Sequence, residues 1–280
     1  MRSSFGALPG AFCYRSVGAG EAAELRQATV CFINLARRAV ISDFTEFRSA
    51  ARGHPNSGTL EFGSSMPRDQ ERPLWGNLRR TTPFSDHYGF DRGTPVDRYY
   101  VARFMEANRA CITGQVLEIQ SAAYTQAYGH DVRTSHTVDI DPSHGTDFVC
   151  DLARSEGKLA RAAYNCFLMP NTLNHLRDLK PCLREALRVV KSGGTILTTV
   201  ATLVPLTPDF NEYWRFAPAA WEMIAAEVWP GCEIAISSFG NVLAATAAML
   251  GLAAEELSPE ELDDHDPRYP VLIAIRCRKP

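Results

Sequence analysis

Four acids stand where chemistry would need them. Glu118, Asp139, Asp141 and Asp151 lie inside or at the end of three short apolar runs, residues 116–119, 137–141 and 148–151. A carboxylate that ends a strand can accept two hydrogen bonds from a ribose diol. In nucleoside-binding sheets that acid follows the first turn by roughly 20 residues. Asp141 sits near that spacing, with Asp139 one pleat away on the same face. Asp151 can accept from an adenine amino group. Between the first two runs, Ile119, Gln120, Ser121, Ala122, Ala123 and Tyr124 form a turn of mostly small residues, which lets the backbone approach a nucleoside. Each acid alone could merely end a strand as a turn residue; the set in this order favours a site.

Positioning these acids takes a parallel sheet. Short apolar runs of this length read as buried strands of an α/β fold. Ligands in such sheets lie at the strands' carboxyl ends. Farther on, 164–169 reads as a fourth strand, 195–200 as a β-branched fifth, 233–238 as another and 271–275 as the last, antiparallel at the sheet's end. Helices are expected over 100–110, 153–163, 179–190, 218–228 and 244–252. Lys191-Ser192-Gly193-Gly194 would end the third of these, with glycine as a left-handed cap. Residues 255–266 are acidic and read as a solvated surface.

The stretch 116–151 resembles a class I S-adenosylmethionine-dependent methyltransferase. The acidic first strand VLEI, the second-strand acid and the step Cys150-Asp151-Leu152 carry the likeness, as does the later run LREALRVVKSGGTILTTV. The likeness extends over about residues 75–280. It is closest to bacterial enzymes of glycan and secondary-metabolite pathways with a GNLRR…FDRGTPxDRYY lead-in and a YWRF…FGNVLAATA tail. One difference stands in the first loop, where the family carries glycines and this chain reads Gln120-Ser121-Ala122-Ala123. A β-carbon costs energy wherever φ must be positive.

The resemblance implies a Rossmann-like seven-stranded sheet of order 3-2-1-4-5-7-6, with S-adenosyl-L-methionine as cofactor. Cofactor contacts would come from Glu118, Ile119, Gln120, Ser121, Tyr124, Asp141, Asp151 and Leu152, and from Pro170 and Asn171 after the fourth strand. Tyr99 and Tyr100 would join them from the lead-in. In this class the connection after the fourth strand faces the methyl group, so His175 becomes the candidate base: a neutral imidazole near pH 7 can take a hydroxyl proton. Its alternative is a helix-end or surface histidine. His87, Arg92, Tyr213, Trp214 and Arg215 are expected around the acceptor. A small-molecule or sugar-like hydroxyl is the expected acceptor.

The N-terminal part reads differently. Residues 1–73 look like a helical extension and linker, and 74–280 like the catalytic domain. Leu25, Ala28, Phe32, Leu35 and Ala39 give a helical stripe within 21–51, suited to covering the site or to pairing two subunits. Gly18-Ala19-Gly20 imitates a dinucleotide fingerprint, but no strand precedes it. Residues 75–100 are dense in Arg, aromatics and Gly, which suits a lid; the competing reading is an Arg–Asp network through Asp91, Arg92, Asp97 and Arg98.

Composition narrows the alternatives. Net charge is −3, with residues 1–110 carrying 15 Arg, no Lys and 11 acids, hence +4, and the remainder −7. That is too mixed for a nucleic-acid footprint. No apolar run reaches membrane-spanning length. Eight cysteines without a C-x-x-C pair argue for reduced thiols in a cytoplasm and against structural zinc. No Asp/His spacing suggests a metal. Two other functions remain open: a non-catalytic nucleoside-binding or scaffold protein on this fold, and a nicotinamide oxidoreductase, which the lack of G-x-G-x-x-G after Ile119 disfavours.

Overall fold

The computed structural model describes residues 75–206 and 211–280. The proposed extension over 1–73 and Asp209, a further sequence candidate for the acceptor pocket, lie outside the described residues. The strands are β1 (Gly114–Ile119), β2 (Val132–Asp139), β3 (Phe148–Val149), β4 (Tyr164–Met169), β5 (Val190–Ala201), β6 (Glu233–Phe239) and β7 (Leu272–Arg278). They form one sheet of order β3-β2-β1-β4-β5-β7-β6, the order implied by the resemblance. β1 to β5 are parallel, whereas β7 runs antiparallel to both its neighbours, β5 and β6. The last strand therefore lies inside the sheet, not at its end.

Helices cover both faces. They are α1 (Val96–Ala107), α2 (Ala123–Tyr128), α3 (Leu179–Val189), α4 (Pro218–Val228), α5 (Val242–Met249) and α6 (Pro259–Asp263). Alternation along the strands feeds two cores. Leu117, Phe167, Ile196 and Ile273 pack with Leu183 and Ala186 of α3 and Trp221 of α4. Val116, Cys166, Leu197 and Leu272 pack with Val101 and Met105 of α1 and Ala244 of α5. In α3 the buried set Leu179, Cys182, Leu183, Ala186 and Val189 follows helical spacing.

Several expected boundaries move. β2 starts at Val132 and ends at Asp139, two residues before the acid expected to terminate it. α1 begins directly after Pro95, whose fixed φ suits a helix start. The helix expected over 153–163 is only a short turn, Leu152–Arg154. Gly157 there has φ +84, and Ser155 donates its hydroxyl to Glu185 at 2.6 Å, so the chain follows side-chain bonds to α3. No left-handed glycine closes α3. Val190 is already extended, and the Lys279 ammonium donates to the carbonyls of Leu187 and Val190, each at 2.7 Å. Gly193, at φ +75, instead lies within β5 beside a register shift against β4.

Candidate functional site

Glu118 is 1% exposed and sits in β1 one residue before its end. Its carboxylate accepts from the Tyr124 amide at 2.9 Å, the Thr125 amide at 2.8 Å and the Thr125 hydroxyl at 2.7 Å. It thereby folds 119–123 into a closed turn leading into α2. Burial raises its pKa, partly opposed by those three donors. Both oxygens accept from the turn, so Glu118 closes the first loop. Gln120 has φ +67, the conformation in which the family's glycine would be unstrained. Its amide donates to the Val138 carbonyl at 3.0 Å, locking the loop to β2.

The acid ending β2 is Asp139 and not Asp141, which corrects the expected end of the strand. Asp141 caps the following turn: it accepts from the Ser143 amide at 2.8 Å, and this bond holds its carboxyl below the usual range. Asp139 instead accepts from the Asp141 amide at 2.9 Å and meets His144 Nδ1 at 3.0 Å. His144 Nε2 lies 3.2 Å from the side-chain amide nitrogen of Gln120. Asp151 follows β3 and caps Leu152–Arg154, accepting from the Ala153 amide at 2.9 Å and from Arg154 at 2.8 Å. Leu152 is buried beneath it.

After β4, Pro170 leads into Asn171, held at φ +46. The Asn171 side chain donates to Asp97 at 2.6 Å and accepts from the Thr199 hydroxyl at 2.8 Å. Asp97 lies in the first turn of α1, nearly buried, with Arg98 at 3.7 Å. Burial raises the pKa of the Tyr124 phenol, and the charges of Arg98 and Asp97 also act on it. Arg98 and Asp97 therefore stand near the first loop. The sequence offered Asp97 only as a member of a charge network; its position directly after Pro95-Val96, at a helix start, was the usable signal.

His175 ends the short turn Leu173–His175. Its Nδ1 is 3.0 Å from the Asn211 carbonyl oxygen. A carbonyl only accepts, so Nδ1 carries a proton. Asn174, buried, donates to the carbonyls of Ala201 and Trp214, both at 3.0 Å, and its own carbonyl accepts from the Tyr213 amide at 2.8 Å. Trp214 Nε1 returns a bond to the Leu176 carbonyl at 2.8 Å. The structure thus brings His175, Tyr213 and Trp214 together, with the two aromatics partly exposed. Arg215 is used locally, pairing with Glu212 and donating to the Val204 carbonyl at 2.6 Å.

Three expected site residues have side chains engaged by residues 239–263. Tyr100 is buried, donates to the Leu262 carbonyl at 2.8 Å and stacks on Phe239; burial pushes its phenol up to about 12. Tyr99 bonds Asp263 at 3.1 Å. Both side chains meet the α6 and β6 side of the molecule, across the sheet from β1 and β2. Arg92 pairs with Glu256, its Nε lying 2.9 Å from the carboxylate, so it does not present a bare guanidinium to an acceptor. His87 belongs to a turn organised by Ser85, whose hydroxyl accepts the His87 amide at 3.0 Å. The lead-in is a strap along 250–263: the Phe84 amide donates to Leu250 at 2.7 Å, and the Ala254 amide to Thr94 at 2.7 Å.

Among the described residues no group of three or more His, Cys, Asp or Glu could hold a metal ion, and no helix is long and apolar enough to cross a membrane. The described cysteines are free thiols. Hollows of about 290 Å³ by Ser238 and His265, and about 320 Å³ by Arg276 and Arg278, lie away from the carboxyl ends of β1 and β4.

Residues 108–198 match the family model of a methyltransferase domain. No curated protein matches the sequence significantly. Among solved structures, a SAM-dependent methyltransferase from Archaeoglobus fulgidus is 16% identical, covering 70% of this chain and 100% of its own with TM-score 0.46. One from Mesorhizobium loti is 12% identical, covering 68% and 100%, with TM-score 0.45. An N-methyltransferase from Haemonchus contortus, solved with S-adenosylhomocysteine, is 16% identical, covering 60% of this chain and 49% of its own, with TM-score 0.39.

Proposed function

We propose that the chain is an S-adenosylmethionine-dependent methyltransferase acting on a hydroxyl of a small-molecule or sugar-like acceptor. One observation carries the cofactor reading: an acid-closed turn after β1, a terminal acid on β2 and a capping acid after β3, within the span that matches a methyltransferase domain. The residue types fit the cofactor. Asp139 offers acceptors to a ribose diol, Asp151 an acceptor to the adenine amine, and Ser121, Ala122 and Ala123 leave room for the backbone to approach. Gln120 fits least well, because its β-carbon stands on a backbone at φ +67.

The bound sulfonium supplies an electrophilic methyl group. The protein's main task is alignment, for which effective molarities of roughly 10⁵ M or more are available. A hydroxyl acceptor must also lose its proton. His175, oriented through Nδ1 by the Asn211 carbonyl, is the candidate to take that proton. Tyr213 and Trp214 flank it as a surface for the acceptor. A cytoplasmic enzyme of secondary metabolism is the proposed setting, with residues 21–51 covering the site or pairing two copies.

Calorimetry with S-adenosylmethionine, S-adenosylhomocysteine and NAD tests the cofactor; the first two should bind and NAD should not. A panel of hydroxylated acceptors with labelled cofactor tests the chemistry. A non-catalytic nucleoside-binding role is the second reading, favoured by the side chain at position 120 where glycine would serve better. Binding without turnover on any acceptor class would support it.

A further inference from the structure

Gln120 and His144 come from two different connections yet meet across the carboxyl edge. Gln120 follows β1, whereas His144 lies in the turn after β2. Gln120 Nε2 is 3.2 Å from His144 Nε2, and His144 Nδ1 is 3.0 Å from Asp139 Oδ2. The polarity is consistent along the chain of bonds. The carboxylate accepts from Nδ1–H, and the lone pair on Nε2 of the neutral ring accepts from the Gln120 amide. The other oxygen of Asp139 accepts from the Asp141 amide at 2.9 Å, and its side chain is only 13% exposed. Both oxygens that a ribose diol would use are thus engaged within the protein. The link runs from the first loop to the terminal acid of β2, the two walls between which a nucleoside would lie.

Resting on the cofactor reading above, we infer that Gln120 and His144 form an internal occupant of the ribose seat, and that His144 must leave Asp139 when nucleoside binds. The link depends on a side chain at position 120, and glycine could not make it. The backbone holds φ +67 there regardless, a conformation that costs glutamine and not glycine. Gln120 and His144 therefore set the affinity of the site without themselves needing to touch the ligand.

The test is the dissociation constant of S-adenosylhomocysteine, measured by calorimetry on the full chain, wild type against His144→Ala. Removing the occupant should tighten binding roughly tenfold, the worth of one charge-assisted hydrogen bond no longer broken. Gln120→Gly opens the link from its other end and should tighten binding in the same direction; it serves if His144→Ala folds poorly. Unchanged or weaker binding in both folded variants overturns the occupant role while leaving the cofactor reading intact. If neither wild type nor variants bind S-adenosylhomocysteine, the cofactor reading falls and the occupant role with it. Binding seen only in the variants would be the strongest support.

Discussion

Asn171 donates its side-chain amide to Asp97 across 2.6 Å, joining the exit of β4 to the first turn of α1. The same Asn171 accepts from Thr199 of β5 and sits at φ +46. Three elements are therefore pinned at one residue, immediately before the turn that carries His175. Asparagine tolerates the left-handed region better than most residues, and its amide supplies both a donor and an acceptor.

Asp97→Ala should consequently destabilise the fold by about 1.5–3 kcal/mol, the range for a hydrogen bond to a charged group. Asp97→Asn keeps an acceptor and should lose less. Urea unfolding of both variants gives the comparison. Since the turn behind Asn171 holds His175, turnover should fall in the alanine variant even where it remains folded. An alanine variant with the wild-type midpoint and rate would show that the tie is incidental.

Arg92 gives the opposite expectation. In sequence it was expected beside the acceptor or in an Arg–Asp network; in the structure its guanidinium is paired with Glu256 on the strap. Half-exposed pairs of this kind contribute little. Arg92→Ala should leave the Michaelis constant for the acceptor and the cofactor affinity within about twofold of wild type. Steady-state kinetics would expose an error here as a large, selective rise in the acceptor constant.

Most strands were legible because buried parallel strands write themselves as short apolar runs; their order came only from the resemblance. Boundaries were less so. β2 carries polar residues at Arg133, Thr134, Ser135 and His136, so its first half looked like loop, and the strand's end was consequently placed at Asp141. The lead-in was harder still. Its composition excluded an ordinary core, but nothing local says that Thr94 meets Glu255 or that Tyr100 reaches Leu262, more than 160 residues away. Such contacts have no sequence period. The Gln120–His144 link was invisible for the same reason, although the missing glycine marked its place.

Glu118 makes a prediction about pH. Burial raises its folded-state pKa above the usual carboxylate range. The folded state therefore holds that proton more tightly than the unfolded chain does. The group's contribution to stability is full below about 4.5, the unfolded value, and is lost as pH rises through the raised folded pKa. Glu118→Gln cannot titrate. Subtracting its unfolding free energy from that of wild type should give a difference that falls as pH rises above about 4.5. Parallel profiles for the two proteins would mean that the three donors from Tyr124 and Thr125 cancel the burial.

The final prediction concerns His175. Its Nδ1–H is held by the Asn211 carbonyl at 3.0 Å, which fixes the ring's tautomer and aim. If Nε2 takes the acceptor's proton, His175→Ala should lower turnover by roughly 10²-fold or more. The dissociation constant for S-adenosylhomocysteine should barely change, since the residues proposed to hold it lie after β1, β2 and β3. His175→Gln retains a donor for Asn211 but has no basic nitrogen, so it should be as slow as the alanine variant while unfolding like wild type. That pairing separates chemistry from architecture. A glutamine variant with near wild-type turnover would make His175 a structural tie between the β4 exit and the Tyr213–Trp214 segment. Alignment alone would then be the whole of catalysis.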